Sequence, residues 1–278
     1  MIRIVTDTGS DIIYLKAQES GVEIVELDII FDDFSYDYRN DTDFSVFYEN
    51  LTKAKNLPRT SQANPAQYLE IFNDAKKKGD EILVVTLSGG LSGTYSSAII
   101  AQEECGYEAI TVVDSSNAII NQRRLAEYAV KLRDEGKNRA EIEEALLNLR
   151  DRLRLLGCLD TLTYLKKGGR VPPAMALIGN ALKIKPVVSV TNGKVEPVDK
   201  VRGIQAGKRA IWTQFEKDGY DERWPVIFGH TNNEEIGKAF MEETKEKFGL
   251  KDCHLYPVGG VIGTHTGPNT FILTYVKK

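Results

Sequence analysis

The sequence predicts an α/β protein of two domains. The N-terminal domain (residues 1–155) is expected to hold a mainly parallel βαβ sheet, and the C-terminal α/β domain (residues 156–278) a mixed sheet containing a hairpin. Two observations support this fold class: short apolar runs alternate with stretches of helical periodicity, and Asn192-Gly193 separates two strand-like runs. The sequence also becomes richer in Gly and Pro after about Leu156, which places the boundary between the domains there.

The N-terminal domain begins with a strand and continues through alternating elements. Apolar runs of strand length predict strands at Ile2–Thr6, Val22–Phe31, Glu81–Leu87 and Ala109–Asp114. Apolar stripes and start signals such as Pro65 predict helices at Asp41–Lys53, Pro65–Lys78, around Ala98–Gln102, Asn117–Glu135 and Arg139–Leu155. The polar and aromatic segment Asp32–Asn40 is expected to form an exposed hairpin.

The C-terminal domain combines a hairpin with further βα units. Asn192-Gly193 is a strong hairpin signal because both residues tolerate the positive φ angles of a tight turn. The predicted strands are Pro186–Val190, Val195–Val201, Val226–Gly229, Leu255–Val258 and Phe271–Val276. Helices are predicted at Ile204–Lys217 and Glu234–Phe248, and a Gly-rich turn before the last strand.

The composition excludes several classes of function. Among 278 residues, 36 Lys and Arg face 40 Asp and Glu, a formal charge of −4 that does not suit a protein binding many nucleic-acid phosphates. Cys105, Cys158 and Cys253 are widely spaced and form no CxxC motif, so neither a zinc site nor a disulfide framework is expected. No apolar run approaches the ~20 residues of a membrane span, and no signal peptide is recognisable. We therefore expect a cytoplasmic protein without metal, nucleic acid or an integral membrane segment.

The polar loop from Ser88 to Ser97 is a candidate anion site. It follows a buried strand and leads into a helix, whose first backbone N–H groups favour a negative charge. The loop lacks both the Walker A and the dinucleotide fingerprints, so a carboxylate or a single phosphate suits it better than a nucleotide. The alternative is that Ser92 and Thr94 only cap the helix.

Two further polar segments are candidates for the same function. Thr60-Ser61-Gln62 also precedes a helix, and its hydroxyls would face the first loop if the two βα loops lie side by side. His265 stands in a Gly-rich segment, where an imidazole can donate to an anion. Taken singly, these residues are better explained by helix capping and structural hydrogen bonds.

A short basic turn, Lys166 to Arg170, has the charge opposite to that of the whole chain. A basic turn of this kind is commonly exposed to solvent and has no binding function. The alternative interpretation is that it docks an acidic or phosphorylated partner. Arg202, after the second hairpin strand, is a similar candidate.

Taken in order, six short segments resemble the DegV family of bacterial fatty-acid-binding proteins, and the resemblance implies one DegV-like unit over about residues 2–277. The segments are Val5–Asp11 (VTDTGSD), Thr60–Gln62 (TSQ), Leu91–Ala98 (LSGTYSSA), Tyr164–Val171 (YLKKGGRV), Lys200–Gly203 (KVRG) and Gly263–Pro268 (GTHTGP). The resemblance implies a protein that holds a long-chain fatty acid between two α/β domains, with the carboxylate near the mouth. It implies no cofactor besides this ligand.

By this resemblance, the carboxylate is bound by Thr60, Ser92 and His265, with Ser61 close by. The resemblance also implies an acyl carrier without catalytic residues of its own, whose partner, a fatty-acid kinase, phosphorylates the bound carboxylate to an acyl phosphate for phospholipid synthesis. Arg170 and Arg202 then become candidates for docking the kinase. The sequence departs from the family in having Ala63 where Pro is more common, and Gly89-Gly90 in the Ser loop.

Two other functions remain as alternatives. Ser92 follows a strand, precedes a helix and comes before His265, as in a serine hydrolase, but Thr94 stands where the GxSxG elbow requires Gly. A phosphosugar-type kinase would need carboxylates such as Asp7, Asp11 and Asp114 to bind magnesium, together with a nucleotide motif that is absent from the sequence.

Overall fold

The structure is a computed structural model that describes residues 1–38, 41–176 and 184–278. These residues form two compact units. Unit 1 comprises Met1–Thr42, Thr60–Asp151 and Asn192–Lys194, and unit 2 comprises Asp43–Arg59, Arg152–Thr191 and Val195–Lys278. The sequence predicts a single division of the chain, at residue 155. In the structure, Asp43–Arg59 belong to unit 2 although they precede that point, and Asn192–Lys194 belong to unit 1 although they follow it.

The strands and helices alternate along most of the chain. The strands are β1 (Ile2–Asp7), β2 (Val22–Val25), β3 (Ile29–Ile30), β4 (Arg59–Thr60), β5 (Glu81–Thr86), β6 (Ile110–Asp114), β7 (Leu153–Cys158), β8 (Ile184–Thr191), β9 (Lys194–Arg202), β10 (Val226–His230), β11 (Cys253–Pro257) and β12 (Phe271–Val276). The helices are α1 (Tyr14–Ser20), α2 (Ser45–Lys53), α3 (Pro65–Lys78), α4 (Thr94–Cys105), α5 (Ile119–Asp134), α6 (Arg139–Arg150), α7 (Thr163–Lys167), α8 (Pro173–Ala176), α9 (Ile204–Asp218), α10 (Glu234–Phe248) and α11 (Gly260–Thr266).

Unit 1 is built on a parallel sheet with the strand order β2-β1-β5-β6. The two central strands are the most apolar, and the side chains of Ile4, Val5, Leu83 and Val84 are fully buried. Strands that are covered on both faces carry continuous apolar runs. The run in β5 allowed this strand to be predicted from the sequence. The predicted parallel sheet is confirmed.

The predicted strand Val22–Phe31 is divided in the structure. It forms β2 and the two-residue β3, and β3 pairs with β4 in a separate two-stranded sheet. A turn after β3 stacks the rings of Phe31 and Phe34, with centroids 4.8 Å apart. Residues 39 and 40 of the predicted hairpin lie outside the described residues.

Unit 2 contains a mixed sheet with the strand order β11-β10-β12-β7-β8-β9. Strands β10 and β11 are parallel, whereas β12 runs antiparallel to both β10 and β7. Strands β8 and β9 form the predicted hairpin, and Asn192 and Gly193 have φ angles of 50° and 73°. Positive angles at both central residues are those of a type I′ turn, so the hairpin and the mixed sheet are confirmed.

Two sequence predictions in this part of the chain were wrong. The helix expected to reach Leu155 ends at Arg150, and Leu153–Cys158 form the strand β7, which is paired on both sides. A central strand buries both faces, so its apolar run lacks the alternation that distinguishes a strand from a helix. The expected Gly-rich turn forms the short helix α11.

The core of unit 2 is rich in aromatic rings. Phe240 lies at its centre, with ring centroids 4.7 Å from Phe271 and 5.5 Å from Phe228. Helix α2 belongs to this unit because its buried face packs on α11, and the Tyr48 hydroxyl donates to the Val258 carbonyl at 2.9 Å. This contact explains why a segment early in the chain joins the later unit.

Candidate functional site

A buried carboxylate supports the polar loop of unit 1. Asp7, at the end of β1, accepts hydrogen bonds from the backbone N–H groups of Leu87 (2.7 Å) and Gly9 (2.9 Å). It therefore ties the end of β5 to the loop after β1. Burial raises the pKa of Asp7 to about 6, and hydrogen bonds from Gln122, Leu87 and Gly9 oppose that rise.

Most backbone N–H groups at the start of the Ser88–Ser97 loop have partners within the unit. The Gly89 N–H donates to Asp114 at 3.3 Å, and the Gly90 N–H to the Ser88 hydroxyl at 3.1 Å. The N–H groups of Leu91 and Ser92 both donate to the Ser88 carbonyl at 3.0 Å. A ligand at this loop would therefore be bound by side chains more than by these backbone groups.

The loop containing Ser92 lies against the segment after Thr60, as the sequence suggested. The Ala63 N–H donates to the Thr94 hydroxyl at 3.3 Å, and the Thr94 and Ser92 hydroxyls lie 2.9 Å apart. The Thr94 N–H also donates to Ser92 at 3.3 Å. Ser92 is half-buried and Thr94 is fully buried. Two predicted polar segments thus form one hydrogen-bonded cluster.

The side chain of Gln62 links the two segments, and its position requires a glycine at residue 93. Its amide donates to the Ser97 hydroxyl at 2.9 Å. Its carbonyl oxygen lies 1.9 Å from the position that a Cβ atom on Gly93 would occupy. Only glycine leaves room for the Gln62 side chain, a relation between distant segments that the sequence did not reveal.

The hydroxyls of Thr60 and Ser61 differ in their surroundings. Thr60 is half-buried at the end of β4. The Ser61 hydroxyl donates to the Asp28 carboxylate at 2.9 Å and also lies 3.2 Å from the Gln62 carbonyl. Ser61 would have to rotate its proton away from Asp28 in order to donate it to a ligand.

His265 lies in unit 2, near the end of α11. Its Nδ1 is 2.1 Å from the position of a Cβ atom on Gly168, so the ring packs directly on the turn after α7. Burial, assisted by the positive charge of Arg170, lowers the pKa of His265 to about 4. The imidazole is therefore neutral at neutral pH and can offer one N–H to an acceptor.

The two candidate docking residues lie in different parts of unit 2. Arg170 is exposed, and its guanidinium donates to the Gly168 carbonyl at 2.6 Å, beside His265. Arg202 is exposed at the end of β9, in a groove that it lines with Lys185 and Arg209. The basic turn thus contributes to the surroundings of His265, whereas Arg202 belongs to a separate basic surface.

Two of the three carboxylates considered as magnesium ligands, Asp7 and Asp114, accept hydrogen bonds from the backbone. Asp114 accepts from the N–H groups of Gly89 and Ser116, as Asp7 does from Gly9 and Leu87. Within residues 1–38, 41–176 and 184–278, no group of three or more His, Cys, Asp or Glu side chains is arranged to hold a metal ion. The same residues contain no helix long and apolar enough to span a membrane.

Known proteins resemble this chain over its whole length. The family model described as "Uncharacterised protein, DegV family" matches residues 1–278. A DegV domain-containing protein of Lactococcus lactis, YteA, is 32% identical over 286 residues, which cover 99% of this chain and 98% of the relative.

Solved structures show the same fold. A DegV family protein from Thermus thermophilus, described for its fatty acid binding, superposes with a TM-score of 0.87 at 27% identity and 99% coverage of both chains. A DegV family protein from Eubacterium eligens, loaded with heptadecanoic acid, gives a TM-score of 0.86 at 27% identity and 100% coverage of both chains. The polar loops, the two-unit fold and these whole-chain similarities together show that the chain belongs to the DegV family.

Proposed function

We propose that this protein binds one long-chain fatty acid between its two domains and holds the carboxylate with Ser92, Thr60, Ser61 and His265. The observation that carries the proposal is the whole-chain similarity to DegV proteins that bind fatty acids. The cluster around Ser92 supports it, because this half-buried hydroxyl lies where two βα loops of unit 1 meet.

The chemistry of these residues suits a carboxylate. A buried carboxylate is costly unless several donors satisfy it, and hydroxyls together with a neutral imidazole offer such donors without a second buried charge. Ser92 is the strongest candidate because the hydroxyl of Ser61 is engaged by Asp28. The acyl chain would add about 0.8 kcal/mol for each CH₂ group removed from water.

We further propose that the protein is a carrier and that a separate fatty-acid kinase of the cytoplasm performs the chemistry. In that reaction a carboxylate oxygen attacks the γ-phosphorus of ATP, the bond to ADP breaks, and an acyl phosphate for phospholipid synthesis forms. Arg170 and Arg202 would bind acidic groups of the kinase, since both are exposed cations on an acidic protein.

The serine-hydrolase alternative gains no support from the surroundings of Ser92. A nucleophilic serine is activated by a base that accepts its proton. The contacts of the Ser92 oxygen are instead with the hydroxyl and the N–H of Thr94. A fluorophosphonate probe is therefore expected to leave Ser92 unlabelled.

Titration of the delipidated protein with a long-chain fatty acid tests the proposed site. Ser92→Ala should weaken binding about tenfold or more, because one donor to a charged group is lost. Ser96→Ala is the matched control, since Ser96 is an exposed serine in the first turn of α4, four residues after Ser92. Equal affinities of the wild type and Ser92→Ala would contradict the proposed role of Ser92.

The carrier proposal is tested separately, with the kinase added. Arg202→Glu should slow the kinase-dependent phosphorylation of the bound fatty acid and leave its affinity unchanged. Lys251→Glu, the same charge reversal at another exposed position of unit 2, is the control. Phosphorylation at the wild-type rate in Arg202→Glu would remove Arg202 from the docking surface.

A further inference from the structure

The hydroxyl of Thr94 lies between a backbone donor and Ser92. Thr94 is fully buried, at the first residue of α4. Its oxygen receives the Ala63 N–H at 3.3 Å and lies 2.9 Å from the oxygen of Ser92. Because Ala63 N–H can only donate, one acceptor position of Thr94 is occupied by it.

The buried position of Thr94 decides the direction of the hydrogen bond between the two hydroxyls. Either hydroxyl could donate by distance alone. If Ser92 donated, the proton of Thr94 would need another acceptor, and the described part of the chain offers it none within hydrogen-bond distance. A buried donor without a partner is costly, so Thr94 donates to Ser92.

This direction leaves Ser92 as a donor toward any ligand. Its oxygen accepts both the hydroxyl proton and the N–H of Thr94, at 2.9 Å and 3.3 Å. A hydroxyl has two acceptor positions and one proton, so both acceptor positions are used and the proton points away from Thr94. Ser92 is half-buried, and this proton can therefore reach a ligand.

The contacts form a chain of donors in one direction, from Ala63 N–H through the hydroxyl of Thr94 to that of Ser92. Successive hydrogen bonds in such a chain polarise one another, which strengthens the last donor. A charged acceptor gains more from this donor than an uncharged one, since charge-assisted hydrogen bonds are about twice as strong as neutral ones.

We propose that Thr94 is a specificity-determining residue, which acts through Ser92 to make the site prefer an ionised carboxylate to an uncharged headgroup on the same alkyl chain. This inference rests on the proposed function and adds to it the chemical class of headgroup that the site selects. Thr94 is a positioning residue, since it acts on the ligand only through the proton of Ser92.

The test compares palmitic acid with hexadecanol, which share an alkyl chain and differ in headgroup. Titration calorimetry of the delipidated protein gives the ratio of the two affinities. In Thr94→Val the ratio should fall about tenfold, because Ser92 loses its fixed direction and can accept the proton of the alcohol. Thr94→Ser keeps the hydroxyl and should keep the ratio.

A double-mutant cycle separates this role from a structural one. If Thr94 acts through Ser92, Thr94→Val should not change the ratio further in a protein that already carries Ser92→Ala. A structural defect would instead weaken both ligands in parallel and leave the ratio intact. Thr94→Ala replaces Thr94→Val if the valine variant melts at a lower temperature.

The outcomes are distinct for the two proposals. An unchanged ratio in Thr94→Val, with both ligands bound, overturns the role of Thr94 and leaves the proposed function standing. A ratio that falls equally in Thr94→Ser also overturns it. Failure of the wild type to bind palmitic acid overturns the proposed function, and this inference with it.

Discussion

Individual side chains at the candidate site are held by contacts that are remote in sequence. Asp7 receives an N–H from Leu87, 80 residues away, and Thr94 receives one from Ala63, 31 residues away. The polar residues themselves were recognisable from the sequence, and the roles proposed for them rest on the family resemblance. The direction in which the Ser92 hydroxyl donates could not be predicted from the sequence, because it depends on which distant groups reach Thr94.

Gly93 leaves the space that the Gln62 side chain occupies, so a larger residue there should destabilise the protein. Gly93→Ala places a Cβ atom 1.9 Å from the Gln62 carbonyl oxygen, so that side chain must move and its hydrogen bond to Ser97 is lost. We expect a loss of about 1–3 kcal/mol in the free energy of unfolding, measured with urea. The cost should largely disappear when Gln62→Ala removes the clash, and a single variant as stable as the wild type would contradict the packing described.

His265 provides a prediction of pH dependence. Its folded-state pKa, about 4, lies below the ordinary value of 6.5, so the folded protein favours the neutral ring. The contribution of His265 to stability is therefore complete above pH 6.5 and is lost as the pH falls from 6.5 toward 4.

The difference in stability between the wild type and His265→Gln isolates the contribution of His265. Asp7 titrates in both proteins, so its effect cancels in that difference. The wild type should lose more stability than the variant between pH 7 and about pH 4 in chemical unfolding. A difference between the two proteins that stays constant with pH would show that His265 is not held neutral. His254→Gln, at an exposed histidine, is the control.

At the scale of elements, helix α3 begins directly after the Thr60–Gln62 segment and helps to position it. Asn64 caps the helix by accepting the Ala66 N–H at 2.9 Å, and Gln67 reaches back to the Asn64 N–H at 2.8 Å. Pro65 at the first helical position needs no hydrogen bond for its nitrogen. These local features explain why the start of α3 was predicted correctly.

The capping box yields a prediction for this element. Asn64→Ala removes the acceptor for the first turn and should lower the free energy of unfolding by about 1 kcal/mol. Asn64→Ser keeps a capping oxygen and should retain most of the stability. Equal loss in both variants, measured by urea unfolding, would show that the cap does not contribute.

Elements whose identity depends on tertiary packing were the ones the sequence missed. The apolar run of β7 could be a strand or the end of a helix, and pairing with β8 and β12 decides for the strand. Helix α11 contains two glycines, which local propensity disfavours in a helix, yet it packs on α2 and α7. Packing of this kind has no local sequence pattern.

At the scale of the whole molecule, the composition and the alternation of elements were sufficient for the fold class. The assignment of α2 to unit 2 was not predictable, since it arises where the buried face of this helix packs on α11. The similarity to DegV proteins described as binding fatty acids also extends over both units, so the proposal of a fatty-acid ligand does not rest on one unit alone.

Native mass spectrometry of the purified protein shows whether it binds a long-chain fatty acid. A protein that binds one long-chain fatty acid should carry the mass of one such molecule from the expression host, and extraction with organic solvent should remove that mass and identify the acid. Re-addition of the extracted acid should restore the heavier species in the wild type more fully than in Ser92→Ala. A folded protein that carries no such mass, and acquires none when a long-chain fatty acid is added, would rule out fatty-acid binding.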